Sequence, residues 1–300
     1  MPPAAPPDGP PGPAAGGREA AARVARALGY PYPRPAGSFL FRPGRPHLGF
    51  PCGRWRGLAG LPALAAQLGA GLGAGALAGC EAWTPVLAIG SNASPEQLER
   101  KFPAAEFGGK VVPCVKGRLR GFDVVFAPLI SSYGSVTATL EVADPATSVE
   151  VFVTFLEESL LERMHATEGA YDLTLLEEVH LELGNGEVLE RIAQYNHQAG
   201  TLHVPGPSGA ASAAGPVALA EIPATGRTFP ALGQREMQEL VHSFLGVDGV
   251  FGTPYLLENL DDAEVRKARV EALLAAARPF QYNKATVQRT LGTVFDASVK

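Results

Sequence analysis

Cysteine is scarce, with Cys52, Cys80 and Cys114 the only three in 300 residues. The number is odd, no C-x-x-C occurs, and no histidine pair stands at metal-ligand spacing. Neither a disulfide framework nor a zinc site is expected, and the thiols fit burial in a reducing, cytoplasmic setting. Histidine is sparse too. His47, His165, His180, His197, His203 and His242 form no H-E-x-x-H, and neither G-x-S-x-G nor a P-loop appears. Charge is also low: 18% of residues are charged, the net charge is −5, and lysine and arginine are scattered rather than blocked. Nucleic acid is therefore not an expected partner. The N-terminus lacks a basic stretch followed by an apolar one, so no secretory signal is expected.

What is present is apolar material, 46% of the chain, enough for a sizeable core in a sequence longer than one average domain. Its distribution is uneven. Ten of the 27 prolines fall within residues 1–35 among alanine and glycine, which predicts a tail without a packed core. Residues 57–80, "GLAGLPALAAQLGAGLGAGALAGC", carry no charge and are long enough to span a membrane. They are dominated by Ala and Gly and contain Pro62 and Gln67, so a loosely packed helix is expected and a membrane partner is not. Within them "GAGALA" fits G-x-G-x-x-A, but nothing before it reads as a strand, and low-complexity glycine is the simpler account.

From residue 85 the pattern changes. "PVLAI" suits a buried strand and Gly90 ends it. Ser94, Pro95 and Gln97 then spell a helix start, with Ser94 as N-cap, proline at the first helical position and Gln97 closing a capping box. Gly90, Ser91, Asn92 and Ala93 thus form a strand-to-helix loop. Such a loop either makes an ordinary turn or presents amides beside the positive end of a helix, where a carboxylate, phosphate or polarised carbonyl oxygen binds.

Strands dominate thereafter: "KVVPCVKGRL", "GFDVVFAPLI", "GSVTATLEV" and "VEVFVTFL", with Asn185-Gly186 marking a hairpin between "LTLLEEVHLEL" and "EVLERIAQY". Few helices intervene, so the expected fold is α+β, a small, mostly antiparallel β-barrel with attached helices. The expected layout is a disordered tail (1–35), a partly helical N-terminal extension (36–84), a main domain (85–245) and a C-terminal helical extension (246–300).

The stretch "EESLLERMHATEGAYD" carries the sharpest side-chain signal. Leu160, Leu161 and Met164 form an apolar stripe, and Glu168 falls where the stripe continues. Gly169 is a natural helix stop. A carboxylate in a partly apolar pocket at the negative end of a helix has its charged form disfavoured, which suits a proton carrier. A solvated glutamate at a frayed helix end fits the periodicity equally well. His165 lies three residues before it, on a neighbouring face, placed either to tune the carboxylate or simply to pack.

Together "LAIGSN", "GSVTATLEV", "VEVFVTFL", "LLERMHATEGAYDLTLL" and "IAQY" resemble, in that order and over about residues 85–245, the γ-glutamylcyclotransferase family. The resemblance implies a barrel whose cavity takes a γ-glutamyl group, and release of 5-oxoproline and an amine by attack of the substrate's own α-amine on its γ-carbonyl. It implies that Ile89, Gly90, Ser91 and Asn92 supply backbone donors, that Glu168 moves the proton, and that Tyr171 and Tyr195 contact substrate or pack beside it. No cofactor or metal is implied. The sequence departs from the family at Ile89, where an aromatic is usual; a ring and a phenol are thereby missing from the pocket wall. Glutathione, γ-glutamyl amino acids, γ-glutamyl amines and a modified natural product all remain open as substrates. A binding module that kept the barrel without turnover, and a membrane-associated accessory protein using residues 57–80, are the competing readings.

Overall fold

A computed structural model describes residues 13–50, 58–67, 69, 71–72, 75–205 and 214–292. Cys52 and the first two residues of "GAGALA" lie outside them. The described chain is α+β with mixed sheets and eight α-helices.

The proline-rich start is not wholly without structure. Helix α1 spans Pro13–Leu28, and Ala27, Tyr30 and Tyr32 behind it are buried. The correction has a local cause: no proline occurs between Pro13 and Pro31, and "REAAARVARAL" is built of strong helix formers. A hairpin of β1 (Phe39–Arg42) and β2 (Arg45–Gly49) follows, then the short α2 (Leu61–Gln67). Among the described residues no helix is long and apolar enough to cross a membrane.

The next elements are β3 (Thr84–Ala88), α3 (Pro95–Lys101), α4 (Ala104–Phe107), β4 (Val112–Arg120), β5 (Phe122–Ile130), β6 (Val136–Val142) and β7 (Ser148–Leu156). Then come α5 (Glu158–His165), β8 (Tyr171–Leu183) and β9 (Val188–His197), with the expected hairpin turn between the last two. Short strands β10 (Thr201–Val204), β11 (Gly215–Pro216), β12 (Ala218–Leu219), β13 (Ala224–Thr225) and β14 (Ala231–Leu232) lead to α6 (Gln234–Phe244). The chain continues with α7 (Thr253–Asp261), α8 (Ala263–Leu274), β15 (Ala277–Arg278) and β16 (Ala285–Thr290).

The C-terminal segment is therefore not purely helical: β16 pairs antiparallel with β8, Thr286 opposite Leu175. Its alternating Thr, Val and Arg suit a strand that exposes most of its side chains. The largest sheet runs β13-β7-β3-β9-β8-β4-β1-β2, and β4 also pairs with β7, so the path β7-β3-β9-β8-β4 returns to its start. Pairing is antiparallel except β3 with β9 and β12 with β14.

The register decides where the loops meet. β3 runs parallel to β9, Leu87 beside Gln194, while β8 runs antiparallel to β9, Leu173 opposite Tyr195 and Tyr171 opposite His197. The end of β3 and the start of β8 therefore lie at one end of the sheet. Helices α3 and α5 pack over this face through Leu98, Phe102, Leu160 and Met164 against Phe39, Phe152 and Tyr195. Each such large buried side chain contributes about 1.5–3 kcal/mol.

Beside this end His197 is buried against the Tyr171 ring, 5.4 Å between centroids. Ala199 N donates to its Nδ1 at 3.2 Å, and Nε2 has no partner. Burial pushes its pKa down to about 4. Above about pH 6.5 neither folded nor unfolded protein protonates it; between 6.5 and 4 only the unfolded chain does, so stability falls by as much as about 3 kcal/mol as pH drops through that window. Urea denaturation of the wild type and His197→Gln across pH 7.5 to 4.5 should show a shallower loss in the variant. Parallel curves would remove His197 as the cause.

Candidate functional site

Strand β3 leaves the sheet at Ile89, and residues 91–93 make a single 3-10 turn before α3. Ala93 N donates to Gly90 O and Ser94 N to Ser91 O, leaving the preceding amides of Ser91 and Asn92 without a protein acceptor among the described residues. Gly90 is required by space: a Cβ there would overlap the Tyr30 hydroxyl. Ser94 does occupy the N-cap of α3, but the capping box does not form. Its N–H already closes the turn onto Ser91, so Gln97 has nothing to reach back to; the Gln97 carboxamide oxygen instead accepts from Arg100 Nη1 at 3.2 Å. The Ser94 hydroxyl is buried without a partner.

Helix α5 ends at His165, and the chain winds on through Thr167 N to Met164 O and Glu168 N to His165 O before Tyr171 opens β8. Glu168 thus sits past the helix, 9% exposed. Leu160 and Met164 are buried as the stripe predicts, and Leu161 is partly buried. Asn92 Nδ2 donates to Glu168 Oε1 at 2.9 Å, tying the two loops together. Lys101 Nζ forms a buried ion pair with the same oxygen and lies 3.4 Å from Met164 Sδ. The side-chain hydrogen bonds and ion pair of Glu168 among the described residues all fall on Oε1, which leaves Oε2 uncommitted, and Asn92 Oδ1 is buried without a donor. The sequence pattern around Glu168 shows no counter-charge; the fold supplies one in Lys101.

These groups line a cavity of about 540 Å³, within the range of small-molecule sites. Ile89, Gly90, Ser91, Asn92, Glu168, Tyr171 and Tyr195 all reach its wall. Both tyrosine hydroxyls are engaged by the protein. Tyr171 donates to Thr137 Oγ1 at 2.8 Å, and Tyr195 is hydrogen-bonded to His165 Nδ1 at 2.9 Å. His165 therefore holds Tyr195, not Glu168. Burial raises the pKa of both phenols and lowers that of His165, so all three are neutral near pH 7.

Several lining groups escaped sequence reasoning. Lys101 looked like an ordinary cation in a last helical turn. Tyr30, brought in by the segment after α1, is 4% exposed; its hydroxyl accepts from Ala138 N at 3.0 Å beside Gly90, and burial raises its pKa well above the ordinary value. A phenol thus stands against the loop although position 89 is isoleucine. Arg26 in the last turn of α1 and residues from 263–270 of α8 complete the wall. Among the described residues no cluster of His, Cys, Asp or Glu could hold a metal ion.

No family model matches this chain, and no curated protein matches it. Among solved structures it is similar to a chain described as "Gamma-glutamyl cyclotransferase", with a TM-score of 0.30 and 15% identity over 67% of this chain and 90% of the other. That likeness is too loose to decide fold or chemistry.

Lys101→Met should destabilise the protein by about 3–5 kcal/mol by leaving a buried carboxylate uncompensated, with most of the loss recovered in Lys101→Met/Glu168→Gln. Equal losses in single and double variants, by urea denaturation, would show that the pair is not the cause. Gly90→Ala should cost about 1–3 kcal/mol through crowding, partly relieved by Tyr30→Phe in a double-mutant cycle. Additive effects there would deny the contact.

Proposed function

We propose that this protein is a γ-glutamyl cyclotransferase-like enzyme, releasing 5-oxoproline and an amine from a γ-glutamyl compound. The observation that carries the reading is the buried Glu168 carboxylate, bonded through Oε1 to Asn92 and Lys101, with Oε2 uncommitted in the cavity that the 89–92 loop also lines. The circuit of strands β7-β3-β9-β8-β4 is, on this reading, the small barrel that frames the pocket.

The chemistry needs little else. The substrate's α-amine attacks its own γ-carbonyl carbon, forming the ring C–N bond. Glu168 takes a proton from the attacking nitrogen through Oε2 and returns it to the departing nitrogen as the original C–N bond breaks. The Ser91 and Asn92 amides stabilise the oxygen that gains charge. Because the nucleophile is tethered, most of the entropic cost of meeting is already met within the substrate. Tyr30, Tyr171 and Tyr195 shape the pocket as neutral rings. The reaction is an internal acyl transfer with loss of an amine, so it needs no cofactor.

One observation favours a second reading, a module that binds the same small molecule without turnover. Lys101 sits on the oxygen beside the one that would work. A cationic side chain there favours holding a ligand's charge pattern over cycling a proton.

Incubating the full chain with a panel of γ-glutamyl compounds, products detected by mass, separates the two. Turnover of at least one compound is expected, with Glu168→Gln lowering it about 10²–10⁴-fold while the circular dichroism spectrum is unchanged. Glu168→Asp, which keeps the charge but withdraws the oxygens, should also lose most activity. Ligand retention without product supports the module, and undiminished turnover in Glu168→Gln would end the proton-carrier role.

A further inference from the structure

The cavity is cationic although the protein is not. Arg26, Arg100, Lys101, Arg163, Arg266 and Lys267 line it, against two acids, Glu168 and Glu264, in a chain of net charge −5. Lys101 is matched by Glu168, and Arg100 by Glu96 outside the cavity. For Arg26, Arg163 and Arg266 the described residues provide only neutral partners. Arg163 Nε donates to Lys101 O at 2.9 Å and Arg266 Nη1 to Asn259 O at 2.6 Å. The Arg26 guanidinium lies 5.0 Å over the Tyr133 ring and interacts with the Tyr32 phenol, a second neutral group.

These three guanidiniums come from three separate helices, α1, α5 and α8, two of which lie outside the segment that carries Glu168 and the 89–92 loop. Like charges that line one cavity from distant parts of an acidic chain repel one another unless something of opposite sign joins them. Each keeps nitrogen donors for a planar or tetrahedral anion, the geometry that arginine matches by forked hydrogen bonds.

We propose that the cavity holds a dianion subsite formed by Arg26, Arg163 and Arg266, and that the ligand carries a phosphate or a pair of carboxylates on the half that faces them. The inference rests on the cyclotransferase reading for the identity of the reacting half alone. On that reading the departing amine bears the dianion, and a γ-glutamyl derivative of an uncharged amine is a poor substrate.

The test uses the full chain and two readouts. In the first, 5-oxoproline release is compared for γ-glutamyl-methylamine, γ-glutamyl-glutamate and γ-glutamyl-phosphoethanolamine. In the second, calorimetry follows inorganic pyrophosphate and tricarballylate, which cannot react. The expected result is kcat/KM at least tenfold higher for one of the dianionic compounds than for the methylamine. That ratio should fall about tenfold in Arg266→Gln and in Arg26→Gln, as loss of one charge-assisted contact implies. Binding of at least one of the unreactive anions should weaken with added KCl and in the same variants. Preference between the two dianionic compounds identifies phosphate or paired carboxylates, and either supports the subsite. Equal rates for neutral and dianionic compounds, or absence of wild-type binding to both unreactive anions, would overturn it. If no compound yields 5-oxoproline while anion binding depends on the arginines, the subsite stands and the cyclotransferase reading fails; turnover without charge preference gives the reverse.

Discussion

The contact on which the site depends is the meeting of Asn92, Lys101 and Glu168 at one carboxylate oxygen. An isolated charge at this depth is costly, and the ammonium and the amide make its burial tolerable. The same two bonds join the loop after β3, the end of α3 and the loop before β8. Breaking them removes a counter-charge and also releases three segments that share one cavity. Stability and the geometry of the cavity are therefore coupled here, and the free oxygen of Glu168 has its position set by what holds the other one.

The sheet provides the frame for that meeting. Because β3 is parallel to β9 and β8 antiparallel to it, the loop after β3 and the loop before β8 emerge at the same end without any special device. Phe39, Phe152 and the apolar faces of α3 and α5 fill the space behind them. The N- and C-terminal segments then supply what this frame lacks. The Tyr30 phenol stands against Gly90, Arg26 looks in from α1, and α8 closes the wall with residues 263–270. The strand β16 fastens the chain end after α8 back onto β8. Residues from α1, from the segment just after it and from α8 are thus parts of the pocket wall.

How much of this was legible depends on the range of the pattern. The strand-to-helix loop at 89–92 could be read because an apolar run, a glycine and a Ser-Pro start are neighbours in sequence. Glu168 stood out because it interrupts an apolar stripe. The hairpin at Asn185-Gly186 and the α+β class followed from alternation and turn chemistry. The capping box was misread because Ser94 serves two turns at once, and the helical tail was masked by prolines that cluster on either side of "REAAARVARAL". Strand β16, short and exposed, has no apolar alternation to announce it.

The amino-acid sequence by itself determined the local grammar: which residues turn, where helices start, and that one acid lies on an apolar face. Tertiary structure alone decided the company that acid keeps. Lys101 and Asn92 are 67 and 76 residues away from Glu168 along the chain, and Tyr30 is farther still. Periodicity describes neighbours within a few turns of helix or strand, whereas pairing over such separations is set by sheet register and packing of whole elements. For that reason the buried acid could be picked out residue by residue, while its counter-ion, the phenol beside Gly90 and the cationic wall emerge only when the strands are laid side by side.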